Sequence, residues 1–414
     1  MNAARDVAER AARESYGTLL AYLIARCGDV AMAEDALADA FASALERWPL
    51  DGVPRAPQAW LLVAARRRFV DEVRRETRTE RLRERIVRAT QDAQSAFDRD
   101  DELADERLAM MFACAHPAIA LEMRAPLMLQ AVLGLDAGRI ASAFLIAPAT
   151  MSQRLVRAKH KIGAARIPLR VPGADELPER LDAVLTAIYT AFAEGWDDPA
   201  GSDPRTRGLA TEALWLGRLV ATACPHEPEA LGLLALMLYA HSRRATRRDE
   251  RGAYVPLDEQ KPAQWDAAAI DEAEELLMQA LAARRVGRFQ LEAAIQSAHA
   301  ARRRRGALDW NAIVALYDDL LRITGSPVVA LNRAVALSHT DGAQAGLDAL
   351  ADVESDSRVA EYQPYWAARA NLLARIGDSG GARAAFARAI GLTIDPSVRG
   401  YLAVQEQRLR RQPV

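Results

Sequence analysis

The sequence predicts an all-α protein. Almost every segment carries apolar residues at three- and four-residue spacing among helix-forming residues, which is the period of an amphipathic helix. Alternating β-branched runs of the kind that form strands are nearly absent. With 414 residues, 50% of them apolar, the chain also exceeds the size at which a single hydrophobic core usually stops growing, so we expect more than one domain.

Composition and charge narrow the function classes. The formal net charge is -2, so local clusters of one sign are more informative than the total. Cys27, Cys114 and Cys224 lie far apart and share no metal-ligand spacing, which argues against a disulfide framework and a zinc site. The N-terminus lacks a signal-peptide pattern, and no run reaches the roughly 18 apolar residues of a spanning helix. We expect a cytoplasmic protein without a membrane segment and without a cofactor.

The first predicted domain covers residues 1–88. Two apolar helical stripes between residues 16 and 48 are separated near residues 27–29. The segment WPLDGVPRAP follows, and its three prolines and one glycine predict a turn. A third helix is expected to begin near Gln58 and to run through AWLLVAARRRFVDEVRRETR.

The second of these helices has an acidic face made of Glu34, Asp35 and Asp39. Such a face could dock a basic partner. A solvated face without a partner explains the same pattern, and taken alone it is the better explanation. The opposite side is expected to face a core and consists of Leu37, Ala40, Phe41, Ala44 and Leu45.

The third helix combines an aromatic residue with a cationic side. Trp60 and its apolar neighbours can face a core, while the cations can follow a phosphate backbone and the ring can stack on a base. An ion-paired surface helix explains the pattern about equally well, and a single tryptophan is more often a core residue. This basic cluster consists of Arg66, Arg67, Arg74, Arg75 and Arg78.

A second small helical domain is expected at residues 105–166, after an acidic and weakly periodic linker at residues 89–104. Ile140, Ala141 and Phe144 share one helix face, and the chain breaks at Ala147 and Pro148 before a second stripe. This spacing is typical of a helix-turn-helix motif. The buried side of its second helix is expected to contain Met151, Leu155, Ala158 and Ile162.

That second helix presents only positive charge on its outer side. Residues 149–170 include six Lys or Arg and no acid. In the major groove, short polar residues and Arg at the start of a helix reach base edges, while later cations contact phosphates. A basic helix is usually a solvated surface, but the helix-turn-helix spacing and the lack of an acidic partner favour DNA binding. This recognition face consists of Thr150, Ser152, Gln153, Arg154, Arg157, Lys159 and Lys161.

Residues 167–414 form the predicted C-terminal domain. Paired amphipathic stripes that end at Gly or Pro suggest helical repeats, and the last pair follows the tetratricopeptide (TPR) pattern of about 34 residues, with Pro396 near its closing proline. Residues 177–305 fit that period poorly, so we expect an irregular, TPR-like domain. The matched positions are Trp366, Ala370, Leu373, Ala382, Phe386 and Ala389.

Several stretches follow one another in a familiar order. They are DVAMAEDALADAFASALERW, PRAPQAWLLVAARRRFVDEVRR and DERLAMMFACAHPAIALEMRAPLMLQAVLGLDAGRIASAFLIAPATMSQRLVRAKHKI. These resemble regions 2 and 4 of an extracytoplasmic-function (ECF) sigma factor of the sigma-70 superfamily, without region 3 of the larger factors. Later motifs such as YTAFAEGW and DWNAIVALYDDLL resemble the TPR-like extension of one ECF group. The resemblance covers essentially the whole chain.

The resemblance implies a transcription initiation factor that directs core RNA polymerase to the minus-35 and minus-10 elements of promoter DNA. It implies that the acidic face binds the clamp helices of the β′ subunit and that the β flap is a further polymerase contact. The loop of residues 49–57 would capture an extruded minus-10 base, and Trp60 with the basic cluster would hold the melted strand. The recognition face would read the minus-35 element. The C-terminal domain would control activity in cis, with a regulator or ligand of its own.

Two other classes compete with this interpretation. A TPR-type interaction scaffold would bind another protein and never DNA, but it has no use for an unpaired cationic helix after a helix-turn-helix break. An enzyme built on helical repeats would need a catalytic constellation. The six histidines are scattered, and no metalloprotease, serine-hydrolase or phosphate-loop motif occurs. We therefore expect no catalysis, and His116 is interpreted as a helix-end residue beside Pro117.

Overall fold

Helices make up the regular structure of the chain in this computed structural model. The structure describes residues 16–17, 19–24, 30–75, 100–144, 146–165, 167–173, 175–196, 208–354 and 356–411. Within these ranges the β structure is one isolated antiparallel bridge between Arg248 and Tyr254. The predicted all-α class is confirmed. The chain divides into two compact units, Met1–Ala223 and Cys224–Val414.

The first unit begins with α1, which covers residues 16–17 and 19–24. The helices after it are α2 (Val30–Asp51), α3 (Pro57–Arg75), α4 (Asp100–Cys114), α5 (Leu121–Ala131), α6 (Ala137–Ala143), α7 (Pro148–Ala164), α8 (Leu177–Trp196) and α9 (Leu209–Ala223). Residues 100–104 of the predicted linker are therefore helical, and its residues 89–99 lie outside the described part of the chain.

α2 and α3 pack as a pair through their apolar sides. Leu37, Ala40 and Ala44 of α2 and Leu61 of α3 are completely buried. The predicted core side of α2 is wrong at Leu45, which is 46% exposed. Leu45 lies one position beside the stripe of Leu37, Ala40 and Ala44, so it falls outside the strip that α3 covers.

α2 extends three residues beyond the predicted start of the turn and ends at Asp51. Pro49 lies inside the last turn, where its missing N–H removes one hydrogen bond of the ladder and only two helical residues follow it. Gly52 ends the helix: its N–H donates to the carbonyl of Trp48 over 3.1 Å, and its φ of +86° is a left-handed conformation that favours glycine. Residues 52–56 form the non-helical turn before α3.

α6 and α7 are separated at the predicted break. α6 ends at Ala143, and α7 begins at Pro148, where a missing N–H costs no intrahelical hydrogen bond. The buried stripe of α7 is confirmed, because Met151, Leu155 and Ile162 are each 2% exposed or less. The identification of this pair as a helix-turn-helix motif stays a prediction.

α8 and α9 pack on α4 and α5, which explains why the first compact unit extends to Ala223. Gly195 allows the close approach between α8 and α9, since a Cβ there would collide with the backbone of Ala210. This packing joins the start of the predicted C-terminal domain to the predicted second domain. The sequence boundaries at residues 88, 104 and 166 stay predictions.

The second unit consists of nine longer helices and shorter turns within the described ranges. The longer helices are α10 (Pro228–Ser242), α11 (Ala267–Ala282), α12 (Arg288–Ala300), α13 (Trp310–Thr324), α14 (Pro327–Thr340), α15 (Ala343–Glu354), α16 (Gln363–Arg375), α17 (Ser379–Leu392) and α18 (Pro396–Arg411). α10 is buried on nearly all sides, with Leu231, Leu234 and Leu238 each 5% exposed or less. A helix without a polar stripe has no amphipathic period, so residues 228–242 contribute little to a repeat signal.

α16 and α17 form a helix pair at the predicted TPR-like repeat. Ala370, Phe386 and Ala389 are buried in one cluster, and Trp366 and Leu373 pack against it. The pattern positions therefore form a shared core, while their assignment to the TPR family stays a prediction. None of the helices within the described ranges is long and apolar enough to cross a membrane.

Candidate nucleic-acid interface

The recognition face lies on α7, and most of it is exposed. Arg154 and Arg157 are open to solvent on the side opposite the buried stripe, because the helical period separates them from Met151 and Leu155. Neither arginine makes an ion pair with the described residues. Such a helix can present side chains to base edges and phosphates. The other exposed members of this face are Thr150, Ser152, Gln153 and Lys161.

Lys159 differs from the rest of the recognition face. Its Nζ donates a hydrogen bond of 2.5 Å to Oε2 of Glu34 on α2. The two side chains are only 14% and 17% exposed. The expectation that this helix has no acidic partner is therefore wrong at Lys159. Residues 149–170 contain no acid, but the fold brings one from α2, which lies 125 positions earlier in the sequence.

The acidic face of α2 is divided between burial and exposure. Glu34 is occupied by Lys159, whereas Asp35 and Asp39 are exposed. Asp39 makes an ion pair of 3.3 Å with Nε of Arg68 on α3, and both side chains are more than half exposed. Arg68 was not among the predicted site residues, although it directly follows Arg66 and Arg67 in sequence.

Trp60 packs against Trp48 with an edge-to-face geometry, their ring centroids 5.5 Å apart and their planes at 68°. Trp48 is 2% exposed, while Trp60 is half-buried at the N-terminal end of α3. Trp60 is therefore anchored to the core on one side and remains partly accessible. Leu50 nearby is 85% exposed, which is unusual for a large apolar side chain.

The basic cluster follows α3 away from Trp60. Arg66 is half-buried, and burial lowers the pKa of its guanidinium below the usual value. Its Nε has no hydrogen-bond partner among the described residues. Arg67 is exposed. Arg74 and Arg75 continue the same helix, but their side chains lie outside the described part, and Arg78 lies outside it entirely.

Two arginines outside the predicted site have clear roles in the fold. Arg107 of α4 is 6% exposed, makes an ion pair with Glu212 of α9 and lies over the Trp215 ring, 5.0 Å from its centroid. Arg124 of α5, also 6% exposed, donates to the carbonyls of Ile119 and Glu179 over 3.2 and 3.3 Å. The sequence contains a signal for Arg124, since a charge inside the otherwise apolar run MRAPLML calls for a buried partner.

His116 closes α4 as the sequence predicts. Its Nδ1 accepts a hydrogen bond of 3.1 Å from the N–H of Ala118. Burial lowers the pKa of its imidazole, and the nearby Arg180 lowers it further. Among the described residues, no group of three or more His, Cys, Asp or Glu side chains is placed to hold a metal ion.

Two parts of the chain match known families, and nearly the whole chain matches one relative. Residues 12–79 match the family described as Sigma-70 region 2. Residues 180–281, which run from α8 into α11, match a family of unknown function (DUF6596). An uncharacterised protein of Rhizobium meliloti (strain 1021) is 39% identical over 419 residues, which cover 99% of this chain and 96% of that protein. No solved structure matches the chain.

Proposed function

Since the chain belongs to the sigma-70 superfamily, as an ECF-like sigma factor with a helical C-terminal extension, we propose that it directs core RNA polymerase to promoters with minus-35 and minus-10 elements. Sigma-70 region 2 implies binding to core polymerase and to promoter DNA in general. The ECF-type promoter elements and the residues that contact them are our proposal. We also propose that the protein acts in the cytoplasm and has no catalytic activity of its own.

The exposed face of α7 carries the proposal for minus-35 recognition. Gln153 and Arg154 lie in the first two turns of the helix, where side chains of a major-groove helix reach base edges. Arg157 and Lys161 lie further along the exposed side, where they suit phosphate contacts. The buried stripe of α7, made of Met151, Leu155 and Ile162, packs on the rest of the domain. The opposite side of the helix, with the recognition face, therefore stays exposed.

Region 2 supplies the proposed minus-10 contacts. Trp60 is held by Trp48 on one side and is open on the other, so it can stack on a displaced base. Arg67 is exposed on the same helix and can meet the phosphate backbone of a melted strand, with Arg66, Arg74 and Arg75 as its proposed companions. Within the predicted capture loop of residues 49–57, residues 49–51 and 57 are helical, and residues 52–56 form the turn that we propose for capture of a flipped base, next to the exposed Leu50.

Neither the minus-35 contact of α7 nor the minus-10 contact of region 2 supplies enough binding free energy alone. Extruding a base costs roughly a few kcal/mol, and each helix offers only a few base contacts at about 1 to 3 kcal/mol each. Core polymerase can supply the rest by holding both modules at a fixed spacing, which raises their effective concentration. The acidic face, with Asp35 exposed, is the proposed contact with the β′ clamp helices, and the β flap is the proposed second contact.

We propose that the C-terminal part regulates this activity in cis and is required for it. The packing of α8 and α9 on α4 and α5 supports this role, because the extension thereby becomes part of the unit that contains α7. A stack of helix pairs such as that in the second unit commonly leaves a surface for a peptide or ligand.

Run-off transcription with core RNA polymerase on a promoter library tests the proposed function. We expect initiation from a subset of promoters that share a minus-35 and a minus-10 sequence, and only when both the protein and core polymerase are present. Absence of any protein-dependent transcript, together with no binding to core polymerase, would contradict the proposal.

A further inference from the structure

A long connection joins α10 to α11 in the second unit. It covers residues 243–266, and its regular structure is limited to two short 3₁₀ turns and the isolated bridge between Arg248 and Tyr254. Long connections without a helix or strand of their own are uncommon in compact domains and usually have a function when they are held in place. We call residues 247–260 of this connection the strap.

The strap is anchored near the C-terminal end of the unit. Nη2 of Arg248 lies 3.0 Å from Oδ2 of Asp395, which precedes α18. The ring of Tyr254 packs edge-to-face with that of Tyr401 in α18, with centroids 5.6 Å apart. Gln260 is buried, but the other residues of the strap are half-buried or exposed. Because it buries little apolar surface, the strap can open locally without unfolding the rest of the unit.

The strap ends in an acidic turn. The N–H groups of Glu259 and Gln260 donate to the carbonyl of Pro256 over 3.0 and 3.1 Å, so the turn is formed by local hydrogen bonds. Arg302, which follows α12, donates to the carbonyls of Asp258 and Gln260 over 3.3 and 2.6 Å. Asp258 and Glu259 are themselves exposed. Arg302 therefore holds the backbone of the turn, and any peptide in the same conformation offers it the same carbonyls.

An aromatic and cationic surface lies beside the acidic turn. The imidazole of His339 stacks on the Trp310 ring with centroids 3.8 Å apart, and His299 packs against the same ring at 83°. Burial lowers the pKa of His299 to about 4 and also lowers that of His339, while Asp258 opposes the shift at both. Exposed Arg375 lowers the pKa of His339 further. We call these four side chains, together with Arg302, the receptor surface.

We propose that the receptor surface binds an acidic turn of a partner protein, and that the strap occupies it as an internal substitute. The inference gives a ligand class to the C-terminal part and rests on the proposed function for its role in regulation. The partner's turn has the chemistry of the strap, in which a proline and an apolar residue precede two acids. Its carbonyls accept from Arg302, and its carboxylate takes the place of Asp258 beside the two imidazoles.

The strap and the partner compete for one surface. Because the strap belongs to the same chain, its effective concentration is on the order of millimolar. The apparent Kd for the partner is raised by the reciprocal of the fraction in which the strap is open. Weakening the strap should therefore raise the affinity for an added peptide, and removing a group from the receptor surface should lower it. A loop that only stabilises the fold predicts neither change.

The first measurement is the fluorescence anisotropy of a labelled peptide, AYVPLDEQK, titrated with the full-length chain. The peptide has the sequence of residues 253–261 and contains the whole turn. Asp258→Asn in the chain should bind it about threefold or more tightly than the parent, because the strap loses its carboxylate while the receptor surface is kept. Arg248→Gln, which removes an anchor on the far side of the strap, should act in the same direction. Glu250→Gln, the matched control, removes an exposed carboxylate from the strap and should bind as the parent does.

The second measurement removes groups from the receptor surface and from the peptide. His339→Ala in the chain should bind the peptide about two- to fivefold more weakly than the parent. A peptide with Asp258→Asn and Glu259→Gln should bind the parent more weakly by a similar factor. Urea denaturation of each chain confirms that it is folded.

Equal affinities of the parent and Asp258→Asn for the peptide, or equal affinities of the acidic and the neutral peptide for the parent, would overturn the proposal. Absence of peptide binding by every chain, Asp258→Asn included, would overturn it as well. The titrations contain neither polymerase nor DNA. Peptide exchange as expected, in a protein that supports no transcription, would support the receptor surface and contradict the proposed function alone.

Discussion

The arginines of α4 and α5 differ from those of α7 in what surrounds them. Arg107 and Arg124 are almost completely buried and have acidic or carbonyl partners on α8 and α9. Arg154 and Arg157 are exposed and make no ion pair with the described residues. The same side chain therefore joins helices in one place and is available to a partner in the other. The difference shows that a cation's role depends on whether the fold brings it an acid.

The largest effect is expected from removing the helices that supply those partners. A chain that ends at Pro172 loses α8 and α9, which cover α4 and α5 and carry Glu179 and Glu212. It would remove the acidic partners of Arg107 and Arg124, leave Arg124 with the carbonyl of Ile119, and expose apolar surface. We expect this chain to lose cooperative thermal unfolding by circular dichroism.

A chain that ends at Ala223 is the matched control, because it keeps the first compact unit. It should unfold cooperatively, so any loss of transcription in it reports on the second unit and not on misfolding. Equal stability of the two truncated chains would mean that α8 and α9 do not support α4 and α5.

The next largest effect concerns the exposed cations and their dependence on polymerase. The free protein should bind DNA weakly, because only a few phosphates are neutralised and Lys159 is occupied. This binding should be salt-sensitive, because it rests mainly on contacts with phosphates. Promoter specificity should appear after addition of core RNA polymerase. A salt titration of binding to promoter DNA and to unrelated DNA measures both the salt dependence and the sequence specificity. Tight, sequence-specific binding by the free protein would contradict this expectation.

A smaller effect is expected from the single ion pair between buried Arg107 and half-buried Glu212. Glu212→Gln keeps a hydrogen-bond acceptor but removes the charge that faces Arg107, so it should lower the free energy of unfolding by about 1 to 3 kcal/mol. Arg154→Gln on the exposed side of α7 should change it by less than about 0.5 kcal/mol. Urea denaturation of the two variants compares them directly. A larger loss of unfolding free energy in Arg154→Gln than in Glu212→Gln would contradict the structural role of Arg107 and the solvent-exposed role of Arg154.

Local patterns account for what the sequence predicts correctly. The break before Pro148 and the buried stripe of Met151, Leu155 and Ile162 follow from neighbouring residues, so they are visible in a short window. The extension of α2 past Pro49 is not predicted, because a proline normally ends a helix and no neighbouring residue indicates that two more residues stay helical.

Long-range partners account for what the sequence could not predict. The partner of Lys159 lies 125 positions away on α2, and no periodicity connects the two. The packing of α8 and α9 on α4 and α5 depends likewise on shape and on pairs such as Arg107 with Glu212. A count of charges inside one segment therefore identifies a basic helix correctly but overestimates how many of its cations are free.

Selection of minus-35 variants by polymerase loaded with the parent protein or with Arg154→Ala tests the central claim most directly. Arg154 is exposed near the start of α7, and a base contact of this kind discriminates by about 1 to 3 kcal/mol at one position. We predict that Arg154→Ala loses preference at a single minus-35 position. Arg157→Ala, the matched control, should weaken all promoters alike, and it avoids Lys159, which also pairs with Glu34. Identical selection profiles for the parent and Arg154→Ala would contradict the assignment of α7 as the helix that reads the promoter through Arg154.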